Sequence, residues 1–205
     1  MTVSKIEPSR HAKGRILVYL DSGDILKATE QETLTFSLYP GRVLSEEELC
    51  ALRAAAGRSG ARVRAAEMIG ARALSKKELC RRLVQKGESE ENACAAADWL
   101  EDIGALDDGN YAGVVARHYA QRGYGPGRVR QELQRRGVPR EMWEQALEEA
   151  QDPTNAIEAF VAKKLAGKEV DRRELKRVSD ALLRRGYQWQ EIRPVLDRYS
   201  RDDLD

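Results

Sequence analysis

Residues 129–137 read VRQELQRRG, and the same pattern stands twice more in the chain, as ELCRRLVQKG at 78–87 and VSDALLRRG at 178–186. Each copy places two apolar residues four apart: Leu79 and Leu83, Val129 and Leu133, Val178 and Leu182. That spacing puts both on one helix face. Each copy closes on a glycine four residues later, Gly87, Gly137 or Gly186. Glycine accepts positive φ and so suits the position just past a helix end. The glycines stand 50 and 49 residues apart. Six residues beyond them come Ala93, Trp143 and Ile192, and ten beyond come Ala97, Leu147 and Leu196. A second amphipathic helix therefore follows each stop.

Working outward, a leading helix precedes each pair, at about 62–73, 108–122 and 155–166. The reading is a mainly α chain, a tandem array of three three-helix units over 61–107, 108–152 and 153–200. The turn chemistry agrees. Ser75 with Glu78, and Asp171 with Glu174, read as capping boxes. Asp107 or Asp108 suits an N-cap. Pro126, Pro139 and Pro153 suit first helical positions, and Gly167 closes the last leading helix.

The first 60 residues are different. Residues 1–13 are polar, contain Pro8 and read as a flexible arm. The apolar runs Arg15–Leu20 and 25–28 flank Asp21-Ser22-Gly23-Asp24, a hairpin signal. Leu34, Phe36 and Leu38 alternate at strand period before Pro40-Gly41. A small N-terminal β-hairpin/strand element is thus expected over 14–39. Ser45 and Glu48 open a helix expected to run to about Ala56, where Gly57 and Gly60 break it. Segment 14–60 forms one N-terminal β-plus-helix piece, and 201–205 a polar C-terminal tail.

Charged residues make up 34% of the chain and aromatic residues 6%. This balance suits helices with narrow apolar stripes better than one large core. No run approaches the ~20 apolar residues of a bilayer span, and the N-terminus lacks a signal-peptide core. No membrane association and a cytoplasmic location are expected. Cys50, Cys80 and Cys94 are odd in number and form no CxxC pair, so they read as buried free thiols. Catalysis finds no constellation of nucleophile, base and anion site. His11 lies in the arm, His118 is isolated, and Asp107-Asp108 open a helix. No glycine-rich loop carries a phosphate-binding lysine. The chain reads as a non-enzyme without cofactor or metal.

RALSKKELCRRLVQKG (72–87), WLEDIGALDDGNYA (99–112) and RGYGPGRVRQELQRRGV (122–138), in this order and spacing, resemble the RecX family. The likeness covers roughly 61–200 and is strongest over 72–150. Gly125, Pro126, Arg128, Glu132 and Leu133 supply its Gly-Pro-x-Arg helix start and Glu-Leu pair. The resemblance implies an elongated, curved array of three-helix units. It implies a regulator that lies in the groove of a RecA-type recombinase filament on DNA, inhibits ATP hydrolysis, strand exchange and filament growth, and thereby modulates recombination and repair. Contact with single- or double-stranded DNA, directly or through the filament, is implied for some members.

The residues themselves show a basic cluster. Arg117, His118, Arg122, Arg128, Arg130, Arg135 and Arg136 stand within 117–136 against only Glu132, while 141–152 carries Glu141, Glu144, Glu148, Glu149 and Asp152. Separate cationic and anionic surfaces are expected. The candidate partner- or DNA-contacting residues are Arg81, Arg82, Lys86, Arg117, Arg128, Arg130, Arg135 and Arg136. Phosphates would be held through counterion release, carboxylates through bidentate guanidinium pairing. Tyr124-Gly125-Pro126 is either a tight helix entry or a set of free N–H groups for an anion. Trp99, Trp143 and Trp189 read as inter-helix packing, with Trp189 partly exposed. Tyr111 and Tyr119 read as packing. A monomer is expected, since no long apolar heptad run appears. Two other readings stay open: a helical DNA-binding module, and a scaffold, each acting without a recombinase.

Overall fold

The computed structural model describes residues 1–10, 12, 14–150, 152–168 and 170–201. It is mainly helical with one small sheet. The chain forms two compact units. One comprises Met1–Ala73 and Glu78–Leu106, the other Leu74–Lys77 and Asp107 onward.

In the first unit, strands β1 (Val3–Pro8), β2 (Arg15–Leu20) and β3 (Ile25–Thr29) form an antiparallel sheet in that order. Gly23 turns the β2–β3 hairpin at φ 89°, as expected from its sequence. The expectation for 1–13 needs correction, because β1 pairs along β2 from Val3↔Leu20 to Pro8↔Ile16. Polar residues hid this strand. Val3 is fully buried, while Lys5 and Glu7 pair on the exposed face and Tyr19 donates a 2.8 Å hydrogen bond to Glu7. His11, like the tail at 202–205, lies outside the described residues.

The strand expected at Leu34–Leu38 is instead helix α1 (Glu30–Thr35) and a turn. A local signal overrode the alternation. The Thr29 side chain accepts from the Glu32 amide, and Glu32 accepts from the Thr29 amide, a complete capping box. Leu34 is left 68% exposed, while Leu38 packs into the sheet core with Val18, Leu44 and Leu52.

Ser45 and Glu48 do form the capping box that opens α2, but α2 runs from Glu46 to Ala71. The expected break at Gly57 and Gly60, and the unit boundary at 60/61, both fall inside one helix. An interior glycine costs about 1 kcal/mol against alanine, an amount that packing readily offsets. A Cβ at Gly57 would stand 2.9 Å from the Asn92 amide nitrogen, so the missing side chain admits α4 (Glu90–Asp102). Between them α3 (Lys76–Gln85) buries Leu79 and Leu83 completely. The thiols do not follow the expectation of burial: all three are free, Cys50 and Cys94 exposed and Cys80 half-buried. Cys50 neighbours the buried Leu49 and Leu52 in sequence but turns away from them around α2.

The second unit holds two three-helix repeats. The first is α5 (Asp108–Gln121), α6 (Pro126–Arg135) and, after a 3-10 turn at Arg140–Met142, a short α7 (Trp143–Glu148). Pro139 is the residue before that turn rather than its first position. The second repeat is α8 (Pro153–Leu165), α9 (Arg172–Arg184) and α10 (Trp189–Arg201). Their cores gather Tyr111, Val115, Val129, Leu133 and Trp143, and Ile157, Val161, Val178, Leu182 and Ile192.

The repeat glycines do what their spacing implied. Gly87, Gly137 and Gly186 have φ of 93°, 74° and 90°. The amides of the residues after them, Glu88, Val138 and Tyr187, reach back 3.0 to 3.2 Å to Leu83, Leu133 and Leu182 carbonyls. This is the Schellman closure of a helix end.

Candidate binding surface

The carbonyl just before each repeat glycine marks a junction. Within the second unit, the Ser75 hydroxyl donates to the Arg136 carbonyl, and the Gly125 amide donates to the Arg185 carbonyl at 2.9 Å. Ser75 and Gly125 hold the same repeat position, 50 residues apart, as do Arg136 and Arg185, 49 apart. In the first unit the aligned carbonyl of Lys86 has no preceding repeat to meet. It accepts from the Arg64 guanidinium of α2 at 3.2 Å.

The Tyr124-Gly125-Pro126 turn is committed to this junction. Gly127 also donates, to the Gly186 carbonyl at 2.9 Å. A Cβ on Gly125 would stand 2.5 Å from the Tyr187 amide nitrogen. Arg185 completes the lock by donating to the Gly123 carbonyl at 3.1 Å and lying over the rings of Phe160 and Tyr124. Of the two readings of the turn, helix entry and packing describe it. Asp107 caps α5 by accepting from Asn110, while Asp108 accepts from the Lys76 amide at the start of α3.

The eight candidate cations are placed very differently from one another. In the first unit, Arg81 and Arg82 both hold Glu78. Burial raises the Glu78 pKa, but the hydrogen bonds from these two arginines outweigh it and hold the carboxyl below its ordinary value. Lys86 is exposed at the helix end. In the second unit, the expected separation of basic and acidic surfaces does not occur. Arg117 meets Glu149 at 3.4 Å, and Arg130 meets Glu144 through two bonds of 3.0 and 3.1 Å. The two oppositely charged stretches are therefore cross-linked on one surface.

Glu132 is the centre of the remaining group. Its side chain is 5% exposed and is gripped by Arg135 and Arg136. The bond from Arg135, followed by the charges of both arginines, keeps its carboxyl ionised below the usual range despite burial. Arg136 also donates to the Tyr111 hydroxyl at 2.8 Å. Burial works against its charge, yet Tyr111, Tyr119 and Glu132 raise its pKa above the ordinary value. Arg136 is thus a packing residue. Arg128 and Arg135 lie two helical turns apart on one face of α6, and both are exposed. Among the described residues the Arg128 side chain bonds only Gln131, at 3.2 Å. Arg135 is 72% exposed although it holds Glu132. Arg128, bonded to a neutral amide, exchanges partners at little cost, whereas Arg135 stays tied to the buried Glu132 and offers only its solvent-facing side.

Trp143 is buried and donates to the Val138 carbonyl, Trp99 is half-buried beneath Arg62, and Trp189 is 51% exposed. Tyr111 and Tyr119 pack in the core of the first repeat of this unit. Among the described residues no helix is long and apolar enough to cross a membrane.

Residues 107–147 match the family model described as RecX, second three-helix domain. The chain is 31% identical over 152 residues to the regulatory protein RecX of Halorhodospira halophila, covering 73% of this chain and 94% of that protein. It is 36% identical over 141 residues to that of Pseudomonas savastanoi pv. phaseolicola, covering 68% and 91%. A crystal structure of regulatory protein RecX superposes with a TM-score of 0.74 at 23% identity, over 96% of this chain and 98% of that one. The RecX structure from Lactobacillus salivarius gives 0.65 at 18% identity, over 69% and 96%. These two likenesses establish the fold.

Proposed function

The chain belongs to the RecX family of regulatory proteins, and on that premise we propose that it binds a RecA-type recombinase filament on DNA and restrains it without chemistry of its own. It does so by slowing ATP hydrolysis, strand exchange and filament growth, and it acts in the cytoplasm as a monomer. The observation that carries the reading is the outer face of α6, where Arg128 and Arg135 stand exposed, Arg128 bonded to a neutral amide and Arg135 turned to solvent beside its bond to Glu132. Such guanidinium groups take phosphate oxygens or recombinase carboxylates bidentately. Arg130 and Arg117 join them when Glu144 and Glu149 yield. Arg81, Arg82 and Lys86 form a second contact group on the first unit.

The test is ATP hydrolysis by the cognate recombinase on single-stranded DNA, with this protein titrated from far below stoichiometric amounts. Inhibition at low ratios is expected, because one molecule at a growing end affects many subunits. Full hydrolysis at equimolar protein overturns the proposal.

A further inference from the structure

In the first unit, β3 and α2 enclose an open cleft of roughly 490 Å³. Arg15, the first residue of β2, lines it and is only 7% exposed. Its Nη1 donates to the Ser59 hydroxyl at 2.6 Å and to the Lys27 carbonyl at 3.3 Å. Its Nη2 is shielded from solvent and has no hydrogen-bond acceptor among the described residues. Among the described residues the Arg15 side chain thus hydrogen-bonds to neutral oxygens and forms no ion pair. Burying an unbalanced guanidinium is costly, and leaving one nitrogen unsatisfied adds to that cost. A ligand that supplies the missing acceptor would offset that cost.

The surroundings fit an oxyanion. Nη2 lies 3.8 Å from where a Cβ of Gly60 would stand, so the glycine leaves the backbone of α2 low beside the guanidinium. Lys27, Arg53 and Arg64 join Arg15 around the cleft, against Glu67 and Glu88. Arg53 and Arg64 are held by Asp24 and Glu88 at 2.5 and 2.6 Å. Lys27 is exposed, with no ion pair among the described residues. Glu67 offsets one of the two remaining charges, so Arg15 and Lys27, which β2 and β3 bring to one side of the cleft, leave it one spare positive charge.

The geometry points to an oxyanion site here that takes a phosphate group, with Arg15 as the buried anchor and Lys27 as the rim contact. The group is either free phosphate or a phosphate of a nucleic-acid backbone. The site is separate from the α6 arginines and does not depend on a recombinase.

The experiment is thermal unfolding of the full chain in chloride and in inorganic phosphate at matched ionic strength. Phosphate at about tenfold its Kd is expected to raise Tm by about 3 °C. The rise should vanish in Arg15→Met, measured within that variant, and shrink in Lys27→Glu, whose exposed side chain is not needed for folding. Arg128→Glu should keep it. No phosphate-specific rise, or a rise that survives Lys27→Glu unchanged, overturns the site. A single-stranded oligonucleotide that abolishes the phosphate increment identifies the backbone as the source. An increment that persists beside saturating oligonucleotide identifies free phosphate.

Discussion

At the scale of single residues, two glycines with the same backbone differ in what surrounds them. Gly87 and Gly186 have φ of 93° and 90°, so alanine at either one incurs a left-handed penalty of about 1–2 kcal/mol. Gly87 has open space around it, whereas a Cβ on Gly186 would lie 2.4 Å from the Arg128 amide nitrogen. Gly186→Ala must therefore break the α6–α9 junction as well. In urea unfolding it should cost at least about 2 kcal/mol more than Gly87→Ala; equal losses would show that the junction gives way freely. Glu132 makes a pH-dependent contribution. Its folded pKa lies below the ordinary 4.5, so the native state holds the carboxylate more tightly than the unfolded chain does. The stabilisation is complete above about pH 5 and is lost as pH falls below 4.5 through the folded value. Glu132→Gln should flatten the stability–pH curve in that acid window, and an unchanged slope would remove Glu132 from the acid response.

Among elements, α2 separates what local pattern reveals from what packing decides. Its start was legible because Ser45 and Glu48 satisfy amides in sequence range. Its length was not, because the group that excludes a side chain at Gly57 is Asn92, far away in the chain, and the small cost of Gly60 is offset by packing. Gly60→Ala places a methyl at ordinary contact distance from Arg15. It should stabilise the chain by about 0.5–1 kcal/mol through helix propensity; a loss in Tm would show that the site beside Arg15 tolerates no methyl group. The same distinction explains the sheet. β2 and β3 were legible from a hairpin turn, but β1 is half polar and owes its strand state to pairing with β2. In α1, a local capping box defeated a short apolar alternation. The repeat helices were the easiest to read, since each apolar pair and glycine recurs about 50 residues later and the copies support one another.

For the whole molecule, the places where the repeat pattern is broken are as informative as those where it holds. Repeat spacing would start α9 at Leu175, yet it begins at Arg172 behind an Asp171 cap, a turn earlier. That extra turn takes the position equivalent to Ser75 and Gly125 into the helix. At the other end Arg64 occupies the Lys86 carbonyl. In both places residues outside the repeated pattern take the junction position. The candidate surface was only partly legible at this scale. Counting charges along 117–136 found the arginines but not the partners at Glu144 and Glu149, which folding brings from the next stretch. With a net charge of +1 and most of its candidate cations paired, the protein presents few free guanidinium groups to phosphate. Affinity for naked DNA should therefore fall only modestly with salt, with a log–log slope of roughly −2 to −3, since the slope counts the phosphates neutralised. Arg128→Gln with Arg130→Gln and Arg135→Gln, which remove charge without setting a carboxylate against Glu132 or Glu144, should weaken inhibition of the recombinase ATPase by at least about tenfold, with helical content unchanged. A steep slope for naked DNA that the triple variant abolishes, beside unaltered ATPase inhibition, would make α6 a DNA contact and move the recombinase contact elsewhere.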